Sequence, residues 1–311
     1  MKRNLLVIIM LLITVNVFGT TGGNVRIYSE KNEDNSLTFF AENNAFCPVY
    51  LSITFPVLQN MSATVSLPYV IILPARATRF ELFNINVINS SRPTQHSIKF
   101  TSFLGNPDTT PDASFQYLFP FEQGQRFRVT QGWNDFVSHN GVKQYAVDFA
   151  MSVGTPVHAA RGGIVVSVRQ DSNKGGNNRR YINDKNYIMI YHSDGTFGNY
   201  WHLMHNGVVV APGDVVREGQ LIGYSGNTGW AGGPHLHFAV TIPQMHGTMI
   251  SIPFRFISNS SEGVIPRRNV VYQSIARKIT VIEPESKPDN TNNIENESEK
   301  TESTNDTNGH E

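Results

Sequence analysis

The sequence predicts an all-β chain, and three observations carry that expectation. Short runs alternate apolar and polar residues with a period of two, as Val49, Leu51, Ile53 and Phe55 do against Tyr50, Ser52 and Thr54. Successive strand side chains point to opposite faces, so such a run turns one apolar face to a core. Turn formers such as Asn32-Glu33-Asp34-Asn35-Ser36 and Asn89-Ser90-Ser91 separate the runs. No long amphipathic helix is evident.

The elements follow in order. Lys2 and Arg3 precede an apolar stretch from Leu5 to Val15, and Val17-Phe18-Gly19 offers a cleavage site. That pattern predicts a secretory signal over residues 1–19. The apolar stretch is too short and badly flanked for a membrane span, so none is expected after cleavage. The mature chain is expected to be secreted or periplasmic. Residues 24–118 predict a small β-sandwich-like domain, with strands near 24–30, 37–43, 49–55, 63–73, 83–87 and 97–104. A turn-rich connection, Gly105-Asn106-Pro107-Asp108, leads to a second strand-rich domain over 119–268. Its strands are expected at 145–150, 163–169, 187–192, 197–203 and 235–242, with Ser193-Asp194-Gly195 as a hairpin turn. Residues 281–311 hold nine acidic residues against Lys287 and Lys300, with almost nothing apolar. Such a segment cannot offset its chain entropy by burial, which predicts a disordered acidic tail.

The formal net charge of +0 therefore hides a mildly basic body. A basic body suits an anionic polymer such as a cell wall. No Lys/Arg run with interleaved aromatics is present, so nucleic acid is not an expected partner. Cys47 is the single cysteine, which excludes an internal disulfide. No histidine lies nearby in sequence to activate it, so a buried structural thiol is expected. Residues 154–165 and 213–223 echo one another as doubled hairpins. A carrier module of that build needs a lysine on the tight turn, and neither echo has one.

The chemistry concentrates in Gly232-Gly233-Pro234-His235-Leu236-His237-Phe238. On a strand His235 and His237 point the same way while Leu236 points into the core. An H-x-H pair with a distant His and Asp (here His139, Asp148 and His202) is what a strand-built zinc site needs. His96, His158, His205, His246 and His310 read as structural or solvated, while His192 is a candidate support for the site. Gly226, Gly229, Gly232 and Gly233 suggest a compact loop that a substrate backbone approaches closely, with Trp230 and Tyr224 as candidate walls. The loop 171–186, rich in Lys and Arg, reads as solvated, or alternatively as a basic lid. Competing motifs fail: Gly223-Tyr224-Ser225-Gly226-Asn227 misses the last glycine of a nucleophile elbow, and neither a P-loop nor H-E-x-x-H occurs.

Ordered stretches across residues 123–242 resemble the lysostaphin-type (LytM-like) zinc endopeptidases that cut peptidoglycan cross-bridges. The stretches are Ser138-His139, Tyr145-Ala146-Val147-Asp148-Phe149, Gly154-Thr155-Pro156-Val157, Tyr200-Trp201-His202-Leu203, Ser225-Gly226-Asn227-Thr228-Gly229 and Gly233-Pro234-His235-Leu236-His237-Phe238. The resemblance implies a lysostaphin-type β-sheet peptidase domain holding Zn2+. It implies His139, Asp148 and His237 as metal ligands, with His202 and His235 as the catalytic histidines beside the metal. The family's short form has three residues between the first His and the Asp, whereas eight separate them here. The implied substrate is the peptide part of peptidoglycan. Two other readings remain: a non-catalytic LytM-like module that binds wall or regulates other hydrolases, and an enzyme acting on a glycine-rich host protein.

Overall fold

A computed structural model describes residues 23–277. The expected signal at 1–19 and the acidic tail at 281–311 lie outside them. Among the described residues helix is confined to three single 3-10 turns, Gly141–Lys143, Arg179–Tyr181 and Met245–Gly247, and the rest of the regular structure is strand. None of the helices is long and apolar enough to cross a membrane, which says nothing of a β-barrel.

Two sheets make the N-terminal sandwich. One orders Val25–Lys31, Leu37–Asn43, Phe80–Val87 and Met61–Ala63; the other orders Tyr69–Leu73, Val49–Gln59 and Gln95–Leu104. The period-two alternation does what it must: Leu51 and Ile53 are fully buried and meet Ile27, Phe39, Phe83 and Ile85 of the facing sheet. The expected strand over 63–73 is two strands, one in each sheet. Pro68 has no N–H to give a ladder, so the chain leaves one sheet and enters the other there.

The second core is built on a nine-stranded antiparallel sheet. Its order runs Val215–Val216, Gly163–Arg169, Tyr187–Tyr191, Phe197–Trp201, Leu236–Pro243, Val147–Phe149, Arg126–Gln131 and Val271–Gln273, with Met249–Ser251 beside Leu236–Pro243. One face buries an aromatic cluster in which Phe119 stacks on Phe256 at 4.4 Å, with Phe149 and Phe238 packed against Phe256. The two sequence echoes interlock. Pro156–His158 pairs with Leu221–Ser225, and Gly163–Arg169 pairs with Val215–Val216, so each echo completes the other. Cys47 is fully buried beside Ala45, Val49 and Phe197. Burial pushes its thiol up to about 12, the inert state expected of it.

Candidate active site

Three neighbouring strands set the site. Asp148 sits opposite His237 on one side and Gln131 on the other. Leu236 is fully buried in the aromatic core, so His235 and His237 emerge on the opposite face. Phe197–Trp201 pairs Trp201 with His237, and the ring of Trp201 stacks on that imidazole at 4.6 Å and 13°. The expected strand 197–203 breaks at His202, whose φ of 65° lies in the left-handed region. That conformation is uncommon for a residue with a Cβ, and its strain is of a kind that collects at functional sites. His202 is held there by a 2.7 Å bond from Nδ1 to Thr228 O.

His139 reaches the strand despite its eight-residue separation from Asp148. The 3-10 turn Gly141–Lys143 and a bond from Asn134 N to Gln144 O at 2.6 Å fold the intervening loop back. His139 Nε2 ends 3.2 Å from Asp148 Oδ1, and His237 Nδ1 ends 2.8 Å from the same oxygen. The three residues offer one ligand atom each within 4.8 Å of one another, all buried. Donor atoms about 2.0–2.1 Å from a tetrahedral zinc lie about 3.3 Å apart, so the spacing suits one such ion.

Tautomers sharpen the fit. A backbone carbonyl only accepts, so the 2.9 Å contact of His139 Nδ1 with Gly132 O puts the ring proton on Nδ1. With Nδ1 carrying a proton, Nε2 faces a carboxylate oxygen at 3.2 Å, a contact made attractive by a proton or a metal cation between the two atoms. The Nε2 atom of His139, which faces that oxygen, is buried without a hydrogen-bond partner. Buried polar atoms are seldom left so, and such an orphan is a sign of a missing ligand. Two imidazoles and one carboxylate are a zinc donor set, and three protein ligands leave a fourth position open.

Electrostatics follow from the burial. Burial pushes Asp148 up, yet the His139 and His237 rings set against it outweigh burial and hold the carboxyl well below its ordinary range. Burial pushes His139 down, but the Asp148 bond and charge leave it raised. Burial lowers His237 to about 4 and His202 to about 3, so both rings are neutral at pH 7. Gln131 Nε2 donates to Asp148 Oδ2 at 2.8 Å and is itself fixed by Ser138 at 3.0 Å, which orients the carboxylate. His235 Nδ1 contacts Gly233 O at 2.8 Å, its ring lies 4.6 Å from that of His202, and its Nε2 lies 3.8 Å from Asp148 Oδ2.

All five sequence-derived residues therefore meet around one cavity of about 330 Å³, which His139 borders through its contact with Asp148. The glycines divide into two kinds. A Cβ on Gly226 would lie 2.5 Å from Met204 N and one on Gly229 2.7 Å from Lys185 Cβ, so those two serve internal packing. Gly232 and Gly233 face open space. Trp230 lines the cavity; Tyr224 does not, because it pairs with Pro156 in a different sheet. The loop 171–186 is not simply solvated: Gly175–Gly176 pairs in parallel with Gly229–Trp230, and Ile182 and Lys185 wall the cavity. His192 supports nothing here. It lies at the far end of the Tyr187–Tyr191 hairpin from Trp201, bonded to Gly162 O at 2.8 Å. Trp201 and Gln131 were not singled out from sequence, since their roles arise from strand pairing.

Residues 142–249 match Peptidase family M23. The M23 segment starts just after His139 and contains Asp148, His202, His235 and His237. Lysostaphin of Staphylococcus simulans is 37% identical over 156 residues, which is 50% of this chain and 28% of that protein. The peptidoglycan DD-endopeptidase ShyA of Vibrio cholerae is 38% identical over 104 residues, 33% of this chain and 20% of that protein. The chain thus spans less than a third of the length of these relatives. Among solved structures, the catalytic domain of lysostaphin is matched at 32% identity, over 41% of this chain and 84% of that one, with a TM-score of 0.31. The resemblance read from the motifs and the M23 match fall on the same stretch.

Proposed function

We propose that the protein is an exported zinc metalloendopeptidase that hydrolyses peptide cross-links of bacterial peptidoglycan. The observation that carries this reading is the convergence of His139, Asp148 and His237 on one point, with the Nε2 atoms of His202 and His235 free beside it. His139, Asp148 and His237 would hold the metal. When bound, zinc supplies a Lewis acid for the scissile carbonyl and a water-derived nucleophile near neutral pH.

The chain's own groups do the rest. His202 and His235 both spend Nδ1 on a carbonyl, so in each ring Nε2 is the nitrogen left to face the cavity. One such atom takes a proton from the attacking water and delivers it to the leaving amine. The other, carrying a proton taken up from solvent, would donate to the oxygen on which negative charge develops. Burial of His202 strips it of water and keeps the base unprotonated before attack. Gln131 keeps Asp148 in one rotamer, and Trp201 packs flat on His237 so that its ring cannot turn. Gly232 and Gly233 leave the rim open for an extended peptide. The family match and the peptidoglycan enzymes among the relatives support the substrate class.

The test is mass spectrometry of products from defined cross-linked muropeptides, with and without chelator. The expected result is cleavage at a peptide bond that chelation stops and added zinc restores. Binding of the muropeptides with no product at any zinc concentration would favour a non-catalytic wall-binding module instead.

A further inference from the structure

The cavity over the five residues continues into a second one of about 350 Å³ that runs along the sheet over Met189, Ala239 and Thr241. Lys143, Lys185, Trp201 and His237 line both. Among the described residues that line them, the one carboxylate is Asp148, and its oxygens already serve His139, His237 and Gln131. Neither Lys143 nor Lys185 has an ion pair among the described residues. Two ammonium groups with no acid between them repel, and an anion supplied from outside relieves that repulsion.

The fold places the head of Lys185 and the backbone of Lys143. Lys185 Nζ lies 4.9 Å from the centre of the Trp201 ring. Its backbone abuts Gly229, where a Cβ would come within 2.9 Å of Lys185 N. The next residue, Asn186, is fully buried and ties the loop to Ser172 O at 2.8 Å and to Thr228 Oγ1 at 3.0 Å. Lys143 closes the 3-10 turn that brings His139 to the site. Burial lowers the Lys185 ammonium, and the charges of Lys143 and Arg169 press in the same direction.

We propose that Lys143 and Lys185 form a carboxylate-binding subsite, so that the preferred cross-link carries a free carboxylate on a residue flanking the scissile amide. The aliphatic part of that residue lies in the second cavity, over Met189 and Ala239. A neutral glycine bridge has no group for the two lysines to hold. The inference rests on the peptidase reading above and names the substrate class within it.

The experiment compares three synthetic substrates on the full-length zinc-loaded protein. Two are cross-linked muropeptides identical except that the carboxylate beside the scissile amide is free in one and a carboxamide in the other; the third is a pentaglycine bridge. The expected result is a kcat/KM about 10–100-fold higher for the free carboxylate than for the carboxamide, expressed mainly in KM. That ratio shrinks with added salt. It falls toward one in Lys185→Met and in Lys143→Met, and survives in Lys185→Arg. Equal rates on the acid and the amide, or preference for pentaglycine, overturn the subsite while the peptidase reading stands. Cleavage of none of the three overturns the peptidase reading and the subsite with it. The acid-to-amide ratio of the unmodified protein decides the matter even where a variant fails to fold.

Discussion

The two cores of this molecule are both antiparallel β-structure, yet they bury different things. Between Ile27 and Phe100 the interior is Leu, Ile, Val, Phe, Tyr, Ala, Met and Cys47, and the buried polar residues of that region are Ser36 and Asn43. Asn43 is fully spoken for, donating to Cys47 O at 3.1 Å and Pro74 O at 2.8 Å. Beyond residue 117 the buried set includes His139, Asp148, His192, His202 and His237, and three of those histidines keep an Nε2 with no partner. Burying polar groups costs stability unless they are bonded, and the orphaned Nε2 of His139 falls against Asp148, whereas the orphaned Nε2 of His192 and Oδ1 of Asn84 in the sandwich lie away from it. Among the described residues the sandwich buries no histidine or acid and reads as scaffold, and the second core reads as a site with a scaffold around it.

Breaking the comparison at its strongest point means removing a donor. Asp148→Ala or His237→Ala should abolish zinc binding and lower muropeptide turnover at least ~10²–10³-fold, as followed by metal analysis and product chromatography. His202→Ala should keep the zinc and still lose rate, by about 10²–10⁴-fold. Normal turnover in that variant would remove His202 from the chemistry. In the sandwich the outcome should be the reverse. Ile53→Ala, at a fully buried position, should cost about 2–5 kcal/mol of unfolding free energy in denaturant titrations. The zinc affinity of the chains that remain folded should not change. Gln131→Ala sharpens the contrast at smaller scale: losing its bond to Asp148 Oδ2 should weaken zinc about 10–100-fold.

His192 gives a prediction separate from the site. Burial lowers its pKa from 6.5 to about 4, so the folded chain holds it neutral where the unfolded chain protonates. Its contribution is fully present above pH 6.5 and is lost as the pH falls from 6.5 through about 4. At most about 3 kcal/mol of acid destabilisation should come from this residue. A phenylalanine in its place should flatten the fall in Tm between pH 7 and pH 4.5.

Much of this was legible in the sequence, for a local reason. Strand alternation is a property of adjacent residues, so Leu51, Ile53 and the His235-Leu236-His237 step could be read from spacing alone. What was not legible depends on pairing between distant strands. Trp201 meets His237 and Gln131 meets Asp148 only through the register of three strands. The split of 63–73 between two sheets depends on tertiary context in the same way, although Pro68 was a signal in plain view. Tyr224 was placed by its neighbours in sequence and not by the sheet it joins. The positive φ of His202 leaves no mark in composition at all.

The zinc stoichiometry of the purified chain, alone and as His139→Ala, tests the proposed metal site most sharply, because His139 is the proposed ligand that sequence spacing supports least. One tightly bound zinc per chain is expected, and little or none in the variant, with both equally folded by circular dichroism. A chain that binds no zinc, or a His139→Ala variant that binds it with undiminished affinity, would contradict the proposed site.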